Sequence, residues 1–341
     1  MGQDLGRRAG GLARQGIGGG ELILAIRPYT VALAAVVVAC AAWAVLSTWQ
    51  AAATVGADTL RALWVVPALM ALHLGQLLIS AVAWRLLLAA PPAGVAAFYR
   101  LRVVREGIDS LLPVAQMGGE VVGARLLAQR GITLGLSAAS VVVDVTVEFL
   151  SQIAFLLIGL VALANLSGGT SWTAWAGAAL LTAAAAAGLV AGQRLGLLRL
   201  LEGLTGRIAA RWPALAGLSL DGLHASTVAL YRRRDAMSRA FGLHLLAWLL
   251  GCFETWAVFQ ALGVPATPLQ ALVVESLGMA ARSAGFAVPG ALVVQETGFV
   301  LAAAAAGLPE SAALSLSLVK RVREVSVGLI GLALWRLSRA R

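Results

Sequence analysis

Six apolar runs of bilayer length constrain this chain more than any other feature. Residues 28–50, 62–88, 134–164, 172–192, 240–262 and 311–335 are each long enough, at about 1.5 Å per residue, to cross a hydrocarbon layer of about 30 Å as a helix. The chain is 60% hydrophobic and 12% charged, with mean hydropathy +0.87, where soluble domains carry about a quarter charged residues. The expected class is all-α, a polytopic membrane protein. Cys40 and Cys252, both inside apolar runs, and three scattered histidines supply no disulfide or metal framework. A net charge of +10 would suit nucleic acid, but the arginines gather at the ends of the apolar runs, where they set membrane orientation. No nucleic-acid partner is expected.

Arginine counts orient the chain. Residues 1–27 hold four, the strip from Arg85 to Arg105 four, the connector 193–239 eight, and the end from Arg336 three, whereas 51–61, 165–171 and 263–271 hold one, none and none. The basic connections belong in the cytoplasm, which places both termini there. Residues 1–27 lack the apolar core and cleavage site of a secretory signal and read as a cytoplasmic tail. Residues 28–341 then form one transmembrane domain with a cytoplasmic connector at 193–239. In that connector Leu197, Leu201, Leu204 and Ile208 fall at helical spacing among Arg199, Arg207 and Arg211. The pattern suits a helix on an anionic lipid surface or a solvated connector packed on its neighbours.

Two stretches of this domain match each other. Pro113-Val-Ala-Gln-Met-Gly-Gly-Glu120 and Pro289-Gly-Ala-Leu-Val-Val-Gln-Glu296 each set a proline seven residues before a glutamate. Gly131 with Gly307, and Glu148 with Glu324, continue at the same offset of 176 residues (289 − 113). The spacing predicts an internal duplication over about 98–165 and 274–341. Pro113 with Gly118 and Gly119, and Pro289 with Gly290, are the expected helix breaks. The arginine alternation holds if each element enters and leaves the membrane on one side, the first from the cytoplasm and the second from outside. That gives about six full transmembrane helices plus two re-entrant elements in an inverted repeat. Two full extra crossings per element, hence about eight or more spans, keep the same parity.

Glu120 and Glu296 are then carboxylates inside a membrane, where an unpaired charge costs at least about 2.5 kcal/mol on insertion scales. Arg125 and Arg130 lie near Glu120 in sequence, and Arg282 aligns with Glu106. Asp144 and Glu148, four apart on one helix face, align with Lys320 and Glu324, beside which stand Arg321 and Arg323. One half brings acids where the other brings bases, so ion pairing across the repeat interface is expected, either as a transport site or as a device that fixes register. Broken helix ends would add partial positive charge for a phosphate or carboxylate. His73 and Glu254 read as hydrogen-bonded packing residues before proton-relay members, and the tryptophans mostly as an interfacial belt. There is no Walker A, HExxH, GxSxG or CxxC motif, so no cofactor, no metal and no enzymatic activity are expected.

The stretches Pro113–Gly131 and Pro289–Pro309, with the run Ser317–Glu324, resemble the flippase-like membrane proteins related to the transmembrane region of lysylphosphatidylglycerol synthetase. The second stretch looks closest to the subgroup associated with hopanoid biosynthesis. The resemblance implies movement of lipids between leaflets, with the family's carboxylates and bases at Glu120, Arg125, Arg282, Glu296, Lys320, Arg321, Arg323 and Glu324. Aminoacyl transfer is not implied, because the catalytic domain that aminoacylates lipid in full-length synthetases has no counterpart in these residues. Ala291 and Val293 stand where relatives often carry glycine, which argues against a highly flexible second loop. The expected function is a flippase that moves a polar or anionic lipid (a phospholipid, an aminoacylated phospholipid or a hopanoid) through a charged intramembrane cavity. Two readings from other classes stand beside it. One is an intramembrane lipid-modifying enzyme with the carboxylates as general acid and base; the other is a scaffold that gathers lipid-biosynthesis enzymes on the connector. Membrane lipids are the expected partners, with those enzymes second.

Overall fold

The computed structural model describes residues 57–111, 118–166, 220–285 and 293–339, with isolated helical positions at Ala191, Arg199, Glu202 and Gly203. The tail 1–27, the expected spans at 28–50 and 172–192, most of the connector, and Pro113, Pro289 and Gly290 lie outside the described residues.

Every regular element among the described residues is helical. In order they are α1 (Ala57–Ala62), which a 3-10 turn at Leu63–Val65 joins to α2 (Val66–Leu87), then α3 (Val95–Leu111), α4 (Gly118–Ala128), α5 (Leu134–Leu166), α6 (Leu223–Tyr231), α7 (Arg234–Ala261), α8 (Pro268–Ala284), α9 (Val294–Ala305) and α10 (Glu310–Arg339). Thr59–Leu87, Leu134–Leu166 and Arg234–Ala261 are long and apolar enough to cross a membrane. The crossing expected at 240–262 thus begins six residues earlier, inside what the arginine count treated as connector.

Local chemistry explains several boundaries. Thr267-Pro-Leu-Gln270 opens α8 with a capping box: the Gln270 amide donates to Thr267 Oγ1 at 3.2 Å, the Thr267 amide donates to Gln270 Oε1 at 2.9 Å, and Pro268 occupies the first turn, where no donor is missed. Past the ends of α4 and α9 the chain turns through Gly131 and Gly307, at φ 98° and 73°, a region that side chains resist. Helix starts also repeat at the motif offset: Gly118 with Val294, and Leu134 with Glu310 (294 − 118 and 310 − 134, both 176).

The helices interlock between the two halves. α3 runs antiparallel to α10, touching it where a Cβ on Gly107 would lie 2.6 Å from the Gly328 carbonyl oxygen and 2.9 Å from Gly331 Cα. α8 runs antiparallel to α5, with Gln152 Nε2 donating to the Met279 carbonyl at 3.0 Å and Ser283 Oγ at 2.7 Å. The first helix of each half therefore packs on the last helix of the other. α4 folds back along α3, and α9 along α8, where Gly278 leaves room for the Phe299 ring. α2 and α7 flank the pair, and Arg233 closes α2 by donating to the carbonyls of Leu86 and Leu87.

Polarity is arranged for an apolar solvent. Leu301 is 65% exposed and Phe253 59%, while Arg105, Asp144 and Glu254 are fully buried. Burial of this kind is sustainable only when the charges satisfy one another inside the bundle.

Candidate functional site

On α3, Arg102, Arg105, Glu106 and Asp109 recur at three- and four-residue intervals and so share one helix face. That face looks at Asp144 and Glu148, one turn apart on α5. Arg105 is gripped between Glu120 of α4 and Asp144, at 2.9 Å from the latter, and Trp84 lies 4.8 Å from its guanidinium carbon. His244 of α7 meets the other Asp144 oxygen at 3.1 Å, and Arg102 pairs with Glu148 at 2.5 Å. Asp109 accepts the Gly119 amide at 2.8 Å.

The second half carries a related set on different helices. Arg321 of α10 bridges Glu296 of α9, at 2.7 Å, and Glu324, at 3.2 Å. Arg282 of α8 pairs with Glu324 at 2.5 Å and donates to Gln295 at 3.2 Å. Arg323 meets Glu254 of α7 at 2.5 Å, and Gln76 of α2 donates to the same carboxylate at 2.9 Å. Lys320 pairs with Glu275, which also accepts from Thr255 at 2.5 Å. Glu120 and Glu296 thus occupy equivalent positions, but the arginine that answers the first comes from the preceding helix and the one that answers the second from the following helix.

Between the halves lies a cavity of about 160 Å³. Arg102, Glu106 and Glu148 line it from the first half, and Arg282, Arg323 and Glu324 from the second. His73 of α2 stands between them, 3.6 Å from Glu106 and 3.0 Å from Arg323. Trp248, stacked on Phe155 with ring centroids 6.2 Å apart, forms part of the apolar wall.

The sequence profile of the lysylphosphatidylglycerol synthase transmembrane region matches residues 20–331. The chain belongs to this family. Its membrane-spanning helices and this membership make it a membrane protein with a lipid-related role. Searches of curated proteins and of solved structures return no match.

In this member of the lysylphosphatidylglycerol synthase transmembrane family, several expectations need correction. Arg125 does not meet Glu120: it is exposed, because five residues at about 100° each put it on another face of α4. The strip from Arg85 to Arg105 is not wholly a surface connection, since Arg102 and Arg105 are buried in the ion-pair set. Among the described residues, the ion pairs named above join residues within 98–165 or within 274–341, or reach α7, where pairing between the two segments was expected, and His73 stands between them. At the start of α4 the Gly119 amide is already engaged by Asp109. The helix that ends at Leu111 is followed by α4 starting at Gly118, and a side chain on Gly119 would strike the Arg105 carbonyl oxygen. Trp84 is buried, donating to Ser140 Oγ at 3.0 Å, and is no belt residue.

The remaining candidates fall into two groups. Glu148, Arg282, Arg323 and Glu324 line the cavity; Glu120, Asp144, Glu296, Lys320 and Arg321 form the ion pairs behind it. Sequence reasoning missed Arg102, Arg105, Asp109, His244 and Glu275 as members, whereas His73 and Glu254 are hydrogen-bonded to Gln76, as expected of packing residues. The periodicity of α3 was the available signal for the first three. Asp144, Glu148 and His244 bring potential ligand atoms within 4.8 Å of one another. Both carboxylates are already engaged by arginine, so a divalent cation would have to displace a guanidinium to use them.

Proposed function

We propose that the protein is a flippase-type lipid transporter of a bacterial inner membrane, with both termini in the cytoplasm, and that it acts without covalent chemistry. In this reading the pairs α3–α4 and α8–α9 are re-entrant hairpins that enter from opposite sides, and the two halves form an inverted repeat around the cavity. The antiparallel packing of α3 on α10 and of α8 on α5, together with the reversal of each hairpin, supports that arrangement. A lipid headgroup would enter the cavity, exchange contacts with Arg102, Arg282 or Arg323, and leave on the other side as the halves rock, while its acyl chains stay in the bilayer. The resemblance of the Pro289–Pro309 stretch to the hopanoid-associated subgroup makes hopanoids one cargo to test beside phospholipids.

The observation that carries the proposal is the cavity itself: charged groups of both signs from both halves converge on a space of about 160 Å³ inside an apolar bundle. Charges kept only to fix register need no cavity. Reconstitution into proteoliposomes with headgroup-labelled lipid tests it. Flipping is expected to fall by at least about tenfold in Arg282→Gln and Arg102→Gln variants that remain folded. Unchanged flipping in both would remove the cavity from the pathway, and product formation from supplied lipids would replace transport by catalysis.

A further inference from the structure

The charge inventory of the cavity is more specific than a polar passage requires. Three guanidinium groups (Arg102, Arg282 and Arg323) face three carboxylates (Glu106, Glu148 and Glu324). Arg102 with Glu148 and Arg282 with Glu324 are closed ion pairs at 2.5 Å. Two further donors, Arg102 Nε and Arg323 Nε, are buried without a hydrogen-bond acceptor.

From this balance we infer that the ligand of the cavity is a compact zwitterion, a phosphate joined to an ammonium by a short linker. The inference rests on reading the cavity as the headgroup pathway. An anionic headgroup that drew Arg102 from Glu148 would leave a carboxylate bare inside the bundle. A cationic one that drew Glu148 away would leave the guanidinium bare. Either is strongly unfavourable, because breaking one side of a buried pair strands a desolvated charge. A zwitterion replaces both partners together: its phosphate takes the guanidinium, its ammonium takes the carboxylate, and no charge is stranded.

Competition binding to the full chain in detergent tests this, with a headgroup-labelled short-chain phosphatidylethanolamine as reporter. The competitors are unlabelled short-chain phosphatidylethanolamine, phosphatidylglycerol, lysyl-phosphatidylglycerol and soluble phosphoethanolamine. Phosphatidylethanolamine is expected to displace the reporter at concentrations at least about tenfold lower than either charged lipid. Glu148→Gln, which tips the lining toward positive charge, should turn the preference toward phosphatidylglycerol. The exchange Arg102→Glu with Glu148→Arg keeps the pair and should keep the zwitterion preference, which separates charge balance from misfolding. Displacement by phosphatidylglycerol or lysyl-phosphatidylglycerol at equal or lower concentration overturns the inference, as does a preference unchanged in folded Glu148→Gln. Zwitterion preference without flipping in proteoliposomes would uphold the ligand class and reject the transport reading. Soluble phosphoethanolamine competing as well as the lipid would likewise uphold the class and assign it to a water-soluble ligand.

Discussion

Arg105 is wholly buried, with Glu120 and Asp144 on either side of its guanidinium and Trp84 against it. Removing it strands two carboxylates. Arg105→Gln is therefore expected to lower unfolding stability by about 3–5 kcal/mol, read from denaturant melts in detergent, while Arg125→Gln on the exposed face of α4 leaves the melt unmoved. Arg105→Lys should fall between them, because an ammonium keeps the charge and gives up the planar fork that reaches two acids at once. Val293 makes the opposite prediction. It holds φ 68° while 62% exposed, a conformation that a β-branched residue adopts only under strain. Val293→Gly should raise stability by about 1 kcal/mol, and a lowered melting temperature would show that the side chain is held by something other than its backbone. The glycine pattern of the family pointed at this position from sequence; the positive φ explains why glycine would suit it.

At the scale of elements, the contact of α3 with α10 depends on missing side chains. A methyl on Gly107 meets the backbone of α10, which cannot turn aside as a flexible side chain would. Gly107→Ala is expected to destabilise by about 1–3 kcal/mol through helix separation. Gly75 on α2 has open space around it, so Gly75→Ala should stabilise by about 0.5–1 kcal/mol through backbone entropy. Unfolding melts of the two variants must move in opposite directions if the close approach is real. The capping box that starts α8 was legible in Thr267-Pro-Leu-Gln270, as was the charged face of α3 in its spacing. The mutual approach of α3 and α10 was not, because Gly107 and Gly331 lie in different halves of the chain and nothing local to either marks the other.

For the whole molecule, the proposed inverted repeat places the turn after α4 and the turn after α9 on opposite sides of the membrane. With Cys40 and Cys252 replaced by alanine, Arg130→Cys should react with an impermeant maleimide only after cell disruption, and Glu310→Cys in intact cells. Labelling of both from the same side would end the inverted arrangement, whatever the ion pairs do.

The amino-acid sequence by itself determined the helical membrane class, the family, and the recurrence of proline, glutamate and glycine at a fixed offset of 176 residues, because these rest on apolar length and on spacing, which are properties of a one-dimensional string. It also marked Glu120 and Glu296 as equivalent. The tertiary structure decided who answers each charge. Arg323 meets Glu254, His244 meets Asp144, and Glu120 and Glu296 draw their arginines from different helices. Coulomb attraction inside an apolar bundle selects partners by distance in space, and those distances are set by helix crossings among residues that lie tens to hundreds of positions apart.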